Sequence, residues 1–149
     1  MKDDDQLITC FRELQKKMPR FYIRELAKAK VTLPQYLLLS LIADSETMPM
    51  TEASAKLYIT KPAITNLVDR LENHKFLKRI PHPTDRRVYL IQILPKGEKL
   101  VHQMRFSILE LLLKAFKQFN AAERKSIARF YGLVSQLLDE ALKPCEAGH

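Results

Sequence analysis

Two stretches of this chain carry side chains whose types and spacing suit contact with polar, planar or anionic partners. In His82-Pro83-Thr84-Asp85-Arg86-Arg87 an acid precedes two adjacent guanidinium groups, and Pro81 and Pro83 stiffen the approach to them. In Thr60-Lys61-Pro62-Ala63-Ile64-Thr65-Asn66 two hydroxyls, an ammonium and a carboxamide lie close together. Cationic groups bind phosphate oxygens, while carboxamides and hydroxyls donate and accept along the edges of heterocycles. Asp85 stands two residues before Arg87 and is expected to orient it by a charge-assisted hydrogen bond. Bond-making chemistry has no support, because the chain holds no Gly-rich phosphate loop, paired acid cluster or nucleophile constellation. His74, His82, His102 and His149 are scattered without ligand spacing, and Cys10 and Cys145 have no Cys or His cluster near them. No metal site, disulfide framework or cofactor is expected.

Helices and a hairpin must position these groups. Leu7, Phe11, Leu14, Met18, Phe21, Tyr22 and Leu26 recur by threes and fours, which predicts an amphipathic helix over 6–30. Thr32 is a natural N-cap and Pro34 falls in the first turn, so a second helix begins there, apolar nearly all round and therefore buried. Ser45-Glu-Thr-Met-Pro-Met breaks it. Thr51 is expected to cap a short third helix to about Tyr58, with Ala53 and Leu57 inward and small Ser54 admitting another helix. Thr60 caps a fourth, with Pro62 in its first turn. There Ile64, Leu67, Val68 and Leu71 make a core stripe, leaving Lys61, Pro62, Thr65, Asn66 and Asp69 on the other side. Leu77–Ile80 and Val88–Leu94 predict two strands joined by the stiff turn. After Pro95 and Gly97, two long helical patterns follow, through Leu100, Met104, Ile108, Leu111, Leu112, Ala115 and Phe119, and from Ala121 to Leu142. No internal repeat or low-complexity segment interrupts them.

With 149 residues the chain suits a single domain able to bury a core unaided. It has 25 Lys and Arg against 17 Asp and Glu, a net charge of +8. Residues 56–105 hold eleven of those cations and only four acids, so the excess is concentrated. Charge alone is consistent with a polyanion, an anionic surface or a solvated basic face. Order decides between them: a short helix, a tight turn, a second helix with a polar outer face and a basic hairpin spell a winged helix-turn-helix, mainly α with a two-stranded β wing. A major groove admits one helix, whose N-terminal residues reach base edges. Thr60, Lys61, Pro62, Thr65 and Asn66 are the expected readers, with Thr51 and Arg70 beside them. Asn pairs bidentately with adenine and Lys with guanine, while Pro62 or a Thr methyl can touch a thymine methyl. Arg86 and Arg87, supported by Asp85, would probe a narrow minor groove where negative potential is enhanced.

Residues 50–97, MTEASAKLYITKPAITNLVDRLENHKFLKRIPHPTDRRVYLIQILPKG, resemble the winged helix-turn-helix core of the MarR family of bacterial transcription regulators, and the flanking helices match in order and length. The most specific part is Asp85-x-Arg87 followed by an apolar strand and Gly97, with Asn66–Glu72 before it. The resemblance implies a DNA-binding lobe at 32–97 within one chain, 1–149. It also implies dimerisation helices at 1–31 and 98–145, a pseudo-palindromic operator, and release by a small aromatic compound or by cysteine oxidation. It carries the major-groove role to the fourth helix and the minor-groove role to Arg87. Three positions depart from the pattern. Lys75 stands where Gly commonly follows the recognition helix, Leu94 replaces a capping Thr, and Ala53-Ser54 replaces a Leu-Ala pair.

The first helix and the last two carry more apolar surface than one such monomer can cover, so a C2 homodimer is expected, with recognition helices roughly 34 Å apart. Phe21, Tyr22, Tyr36, Phe106 and Phe116 are candidates for an effector pocket or plain core. Cys10 lies where peroxide-sensing members keep a reactive thiol, but Leu14 and Arg24 stand where those sensors offer hydroxyls, so a structural or incidental cysteine is expected. The acidic N-terminus is no apolar signal, and the longest apolar run, YLLLSLIA at 36–43, is far short of the roughly 18 residues of a membrane span. A cytoplasmic, ligand-responsive repressor follows, with no membrane partner. The rival is a winged-helix module that meets an acidic protein through its basic face and has no operator preference.

Overall fold

A computed structural model describes residues 2–143, without the side chains of Lys2 and Asp3; Cys145 and His149 lie outside the described residues. The chain runs α1 (Lys2–Lys28), α2 (Leu33–Ala43), β1 (Thr47–Pro49), α3 (Met50–Lys56), α4 (Lys61–Asn73), β2 (Leu77–Pro81), β3 (Tyr89–Ile93), α5 (Pro95–Phe116) and α6 (Ala121–Ala141). It divides into two compact units, Met1–Phe106 and Ser107–His149.

Local signals account for most boundaries in the first unit. Thr32 caps α2 in a reciprocal box: its hydroxyl accepts from the Gln35 amide, and the Gln35 side chain accepts from the Thr32 amide at 2.9 Å. Thr60 caps α4 through the Ala63 amide. The cap expected at Thr51 is not formed. Pro49 occupies the N-cap of α3 without a side-chain bond, and Thr51 lies inside the first turn. Pro49's extended backbone already starts the helix two residues earlier, and Thr51 instead offers its carbonyl to the Ser54 hydroxyl at 2.9 Å.

Three helices end alike. The amides of Val31, Ile59 and Phe76 reach back to the carbonyls of Leu26, Ser54 and Leu71, and those of Lys30, Tyr58 and Lys75 to Ala27, Ala55 and Glu72. This is the Schellman arrangement, whose penultimate residue must be left-handed. Lys30, Tyr58 and Lys75 occupy it with φ of 55, 52 and 61°. The departure at Lys75 is therefore real strain, since a side chain there costs about 1–2 kcal/mol relative to right-handed backbone.

The wing, β2 and β3, is the expected antiparallel hairpin, but the sheet has a third strand. β1 pairs with β3, giving the order β1-β3-β2, with Met48 and Arg79 both opposite Ile91. The segment expected only to break α2 thus also forms an edge strand, the one place where Pro49 costs no ladder bond. Inside, Leu26 of α1, Leu38, Leu39 and Ile42 of α2, Ala53 of α3, and Ile64, Val68 and Leu71 of α4 join Leu77, Ile91 and Val101 in one buried cluster. Each fully buried Leu or Ile contributes about 1.5–3 kcal/mol. The α4 stripe is as expected, with Leu67 packed at its margin.

Gly97 sets how close α5 comes to the wing. A Cβ there would fall well inside 3.0 Å of the Phe76 carbonyl oxygen and 2.8 Å from Ile93 Cγ1. Lacking a capping Thr, α5 starts on the Leu94 carbonyl, which accepts from Gly97 and Glu98 at 2.8 and 3.0 Å. In the second unit, Asn120 caps α6 by accepting from Ala122 and Glu123 amides, while Glu123 accepts from the Asn120 amide at 2.8 Å. No residue of α6 is buried, and Phe130, Leu133, Leu137 and Leu138 are about half exposed or more.

Candidate nucleic-acid interface

The polar face of α4 is open. Lys61, Pro62, Thr65, Asn66, Asp69 and Arg70 are all exposed, because the core stripe turns the opposite side inward. Lys61, Pro62, Thr65, Asn66 and Asp69 line a shallow hollow of about 530 Å³. The Thr65 hydroxyl donates to the Lys61 carbonyl at 2.9 Å. Its proton is thereby engaged, leaving the oxygen lone pairs and the methyl group to face outward.

A second crevice, of about 250 Å³, lies where three elements meet. Thr51 and Ser54 of α3, Lys61 and Thr65 of α4, and Arg87 and Tyr89 of the wing all border it. The structure thus gathers Thr51, Lys61, Thr65 and Arg87 around one concavity. Thr60 sits behind them as the cap, and Arg70 lies in the last turn of α4. Arg86 is exposed in the wing tip.

Asp85 does not orient the Arg87 guanidinium as expected. Its Oδ1 accepts from the Arg87 backbone amide at 2.9 Å, and its carbonyl accepts from the Val88 amide at 3.1 Å. The short Asp side chain reaches its own turn before it can reach a cation, so it fixes the backbone from which Arg87 projects.

Arg79 braces the site in a way that the sequence reading missed. It extends from β2 to α4, where its guanidinium pairs with Asp69 and Glu72, and its backbone amide donates to Glu72 Oε1 at 2.9 Å. Partial burial alone would lower its pKa, but the hydrogen bonds and charges of Asp69 and Glu72 more than reverse this and hold the guanidinium above its ordinary value. This brace ties α4 to the wing strand β2. Two acids three residues apart on α4, with a cation following in a strand, were the available signal.

The aromatic candidates do not share one environment. Tyr36 is buried and packs at a tilt against Tyr22 with centroids 5.8 Å apart, and Phe21 meets Tyr22 edge-on at 6.3 Å. Phe21 also lines a cleft of about 400 Å³ with Lys17, Arg20 and Arg24. Phe106 is exposed. Cys10 is free and exposed on α1. No helix among the described residues is long and apolar enough to cross a membrane, and no cluster of potential metal ligands occurs among them.

Comparison with known proteins gives this geometry a family. The MarR family model matches residues 31–89, which run from the start of α2 into the wing. The HTH-type transcriptional regulator YsmB of Bacillus subtilis is 31% identical over 93 residues, covering 62% of this chain and 64% of YsmB, just under two thirds of that relative's length. Among solved structures, a MarR family protein from Bacillus stearothermophilus has a TM-score of 0.76 at 23% identity, over 95% of this chain and 97% of its own. Streptococcus pneumoniae FabT in complex with DNA has a TM-score of 0.78 at 14% identity, over 92% and 98%. YsmB is described as an uncharacterized HTH-type transcriptional regulator, and proteins of this kind are not enzymes. Residues 31–89 thus match the MarR family of transcription regulators, and the chain over nearly its whole length has the winged helix-turn-helix fold of solved MarR family proteins.

Proposed function

We propose that this protein is a cytoplasmic homodimeric repressor that grips a pseudo-palindromic operator and releases it when a small aromatic effector binds. The observation that carries the reading is the shared crevice in which Lys61 and Thr65 of α4 lie beside Arg87 of the wing. One rigid body then offers a polar rod to a major groove and a cation to the neighbouring minor groove. Thr60, Lys61, Pro62, Thr65 and Asn66 read bases. Thr51 and Arg70 meet the backbone, and Arg86 and Arg87 follow the minor groove with Asp85 holding their turn. The complex of FabT with DNA supports the same use of the fold.

Exposed apolar side chains support the dimer. Leu7, Phe11 and Leu14 of α1 are each about half exposed, as is the apolar stripe of α6. Surfaces of this kind mark interfaces. An aromatic effector would meet Phe21 in its cationic cleft, with Tyr22, Tyr36 and Phe106 as further contacts.

Selection of bound duplexes from random DNA with purified protein should recover an inverted repeat. Arg87→Ala should weaken binding to that duplex by about 1–3 kcal/mol. Lys61, Arg70, Arg86 and Arg87 from each of two subunits predict a slope of log affinity against log salt near roughly −7. A shallow slope, no inverted repeat, or full affinity after Thr65→Ala and Asn66→Ala would favour an acidic protein partner instead.

A further inference from the structure

The wing tip poses a problem of hydrogen bonding that one histidine solves. The last rung of the hairpin ladder is the His82 amide donating to the Val88 carbonyl at 3.1 Å. Beyond it the chain turns with no strand partner, and the shape of the turn is set by the side chains that accept from its backbone amides. Asp85 serves two of them, at Arg87 and Val88. Two more, Thr84 and Asp85, donate to Nδ1 of the His82 ring at 3.3 and 3.2 Å, and the Thr84 hydroxyl lies 3.3 Å from the same atom. Backbone amides only donate, so Nδ1 must be the accepting nitrogen and the ring proton sits on Nε2.

We propose that His82 is the positioning residue of the wing: its Nδ1 holds Thr84 and Asp85 in the turn that presents Arg86 and Arg87 to DNA. This rests on the DNA-binding reading of the wing. Nδ1 lies the same number of bonds from the backbone as the side-chain oxygen of Asn, so the imidazole acts here as an Asx-type acceptor. His82 is only half-buried and stands outside the hydrophobic cluster, so its part in the fold is local to the tip.

That bond count makes the proposal separable from a general need for a bulky or aromatic residue. His82→Asn keeps an acceptor where Nδ1 was, His82→Gln moves it one bond outward, and His82→Ala removes it. With full-length protein and a duplex recovered by selection with the wild type, His82→Ala and His82→Gln should each weaken binding about five- to tenfold. His82→Asn should stay within about twofold. In the DNA-free protein, amide exchange at Thr84 and Asp85 should accelerate in the Ala and Gln variants and not in the Asn variant. Wild-type affinity in His82→Ala, or His82→Asn binding as poorly as His82→Ala, would overturn the proposal. Arg87→Ala separates the two levels: if it binds like wild type, the reading of the wing fails, and the exchange rates still judge the His82 turn.

Discussion

Replacing Gly97 with Ala sets two large effects against each other, and the structure says which wins. Gly97 lies in the first turn of α5, where Ala is the better helix former by up to about 1 kcal/mol. The added methyl would press on the Phe76 carbonyl oxygen, which must retreat by roughly half an ångström or more, and on Ile93 Cγ1 at 2.8 Å. That carbonyl accepts from the Leu94 amide at 3.0 Å, the bond that joins the end of β3 to the start of β2. Overpacking of this kind costs about 1–3 kcal/mol and a weakened hydrogen bond about 1 more. Net of the helix gain, Gly97→Ala should destabilise by about 2 kcal/mol and lower the midpoint of thermal unfolding by roughly 4–8 °C. Gly132 of α6 is the control, since nothing lies within 4 Å of where its Cβ would stand. There the same substitution should stabilise by up to about 1 kcal/mol. Calorimetry of both variants at one protein concentration tests the pair. Gly97→Ala unfolding at or above the wild-type temperature would refute the argument that α5 is seated by backbone approach.

Four further outcomes follow from the same geometry. Lys75→Gly and Tyr58→Gly should each stabilise by about 0.5–1 kcal/mol in urea titrations, because relief of the left-handed φ exceeds the added freedom of the unfolded chain; the two should add. Asn120→Ala should cost about 1 kcal/mol, and Asn120→Asp much less, since the carboxylate still accepts from the α6 amides. Arg79→Leu should cost about 1 kcal/mol, discounted because its acidic partners are partly exposed, and should reduce operator affinity by freeing α4 from the wing. Tyr36 is the pH probe: burial, then Tyr22, raise its pKa against the lowering effects of Ser40 and Arg105. A pKa raised on folding contributes stability that is full below the unfolded value, near 10, and is lost as pH rises through the folded value. The stability of Tyr36→Phe relative to wild type should therefore be constant from pH 7 to about 9 and improve above about 10.

What could be read from the sequence was what is decided within one turn of chain. Thr32 with Pro34 and Thr60 with Pro62 announce two helix starts because a cap and its amides are three residues apart. The α4 stripe follows from helical period alone, and so does the exposure of Thr65 and Asn66. β1 was illegible because nothing in Thr47-Met48-Pro49 favours a strand; pairing with Gln92, Ile91 and Leu90 makes it one. Thr51 misled for a related reason: a competent capping side chain lies two positions late when Pro49 has already set the extended backbone. At the wing tip, proline stiffness and paired arginines were visible. The acceptors that shape the turn, His82 Nδ1 and the Asp85 carboxylate, were not, because which amides they meet depends on the closed hairpin.

Charge counting misassigned cations in an instructive way. Eleven of them crowd residues 56–105, yet several are engaged as braces between elements of the fold. Arg79 ties β2 to Asp69 and Glu72 of α4. Lys96 donates to the His74 carbonyl at 2.8 Å while its ammonium rests 4.3 Å from the centre of the Phe76 ring, joining the start of α5 to the end of α4. Arg105 reaches Ser40 and Asp44 at the end of α2. These contacts sit at joints around the recognition helix, and Gly97 lies one residue from the second of them. A displacement of α5 would therefore reach α4 through Lys96 and the β2–β3 wing through Gly97, with Arg79 making α4 and the wing move together. The basic segment then has two separable parts, cations that face a partner and cations that keep the facing ones in register, and only the first should appear in the salt dependence of binding.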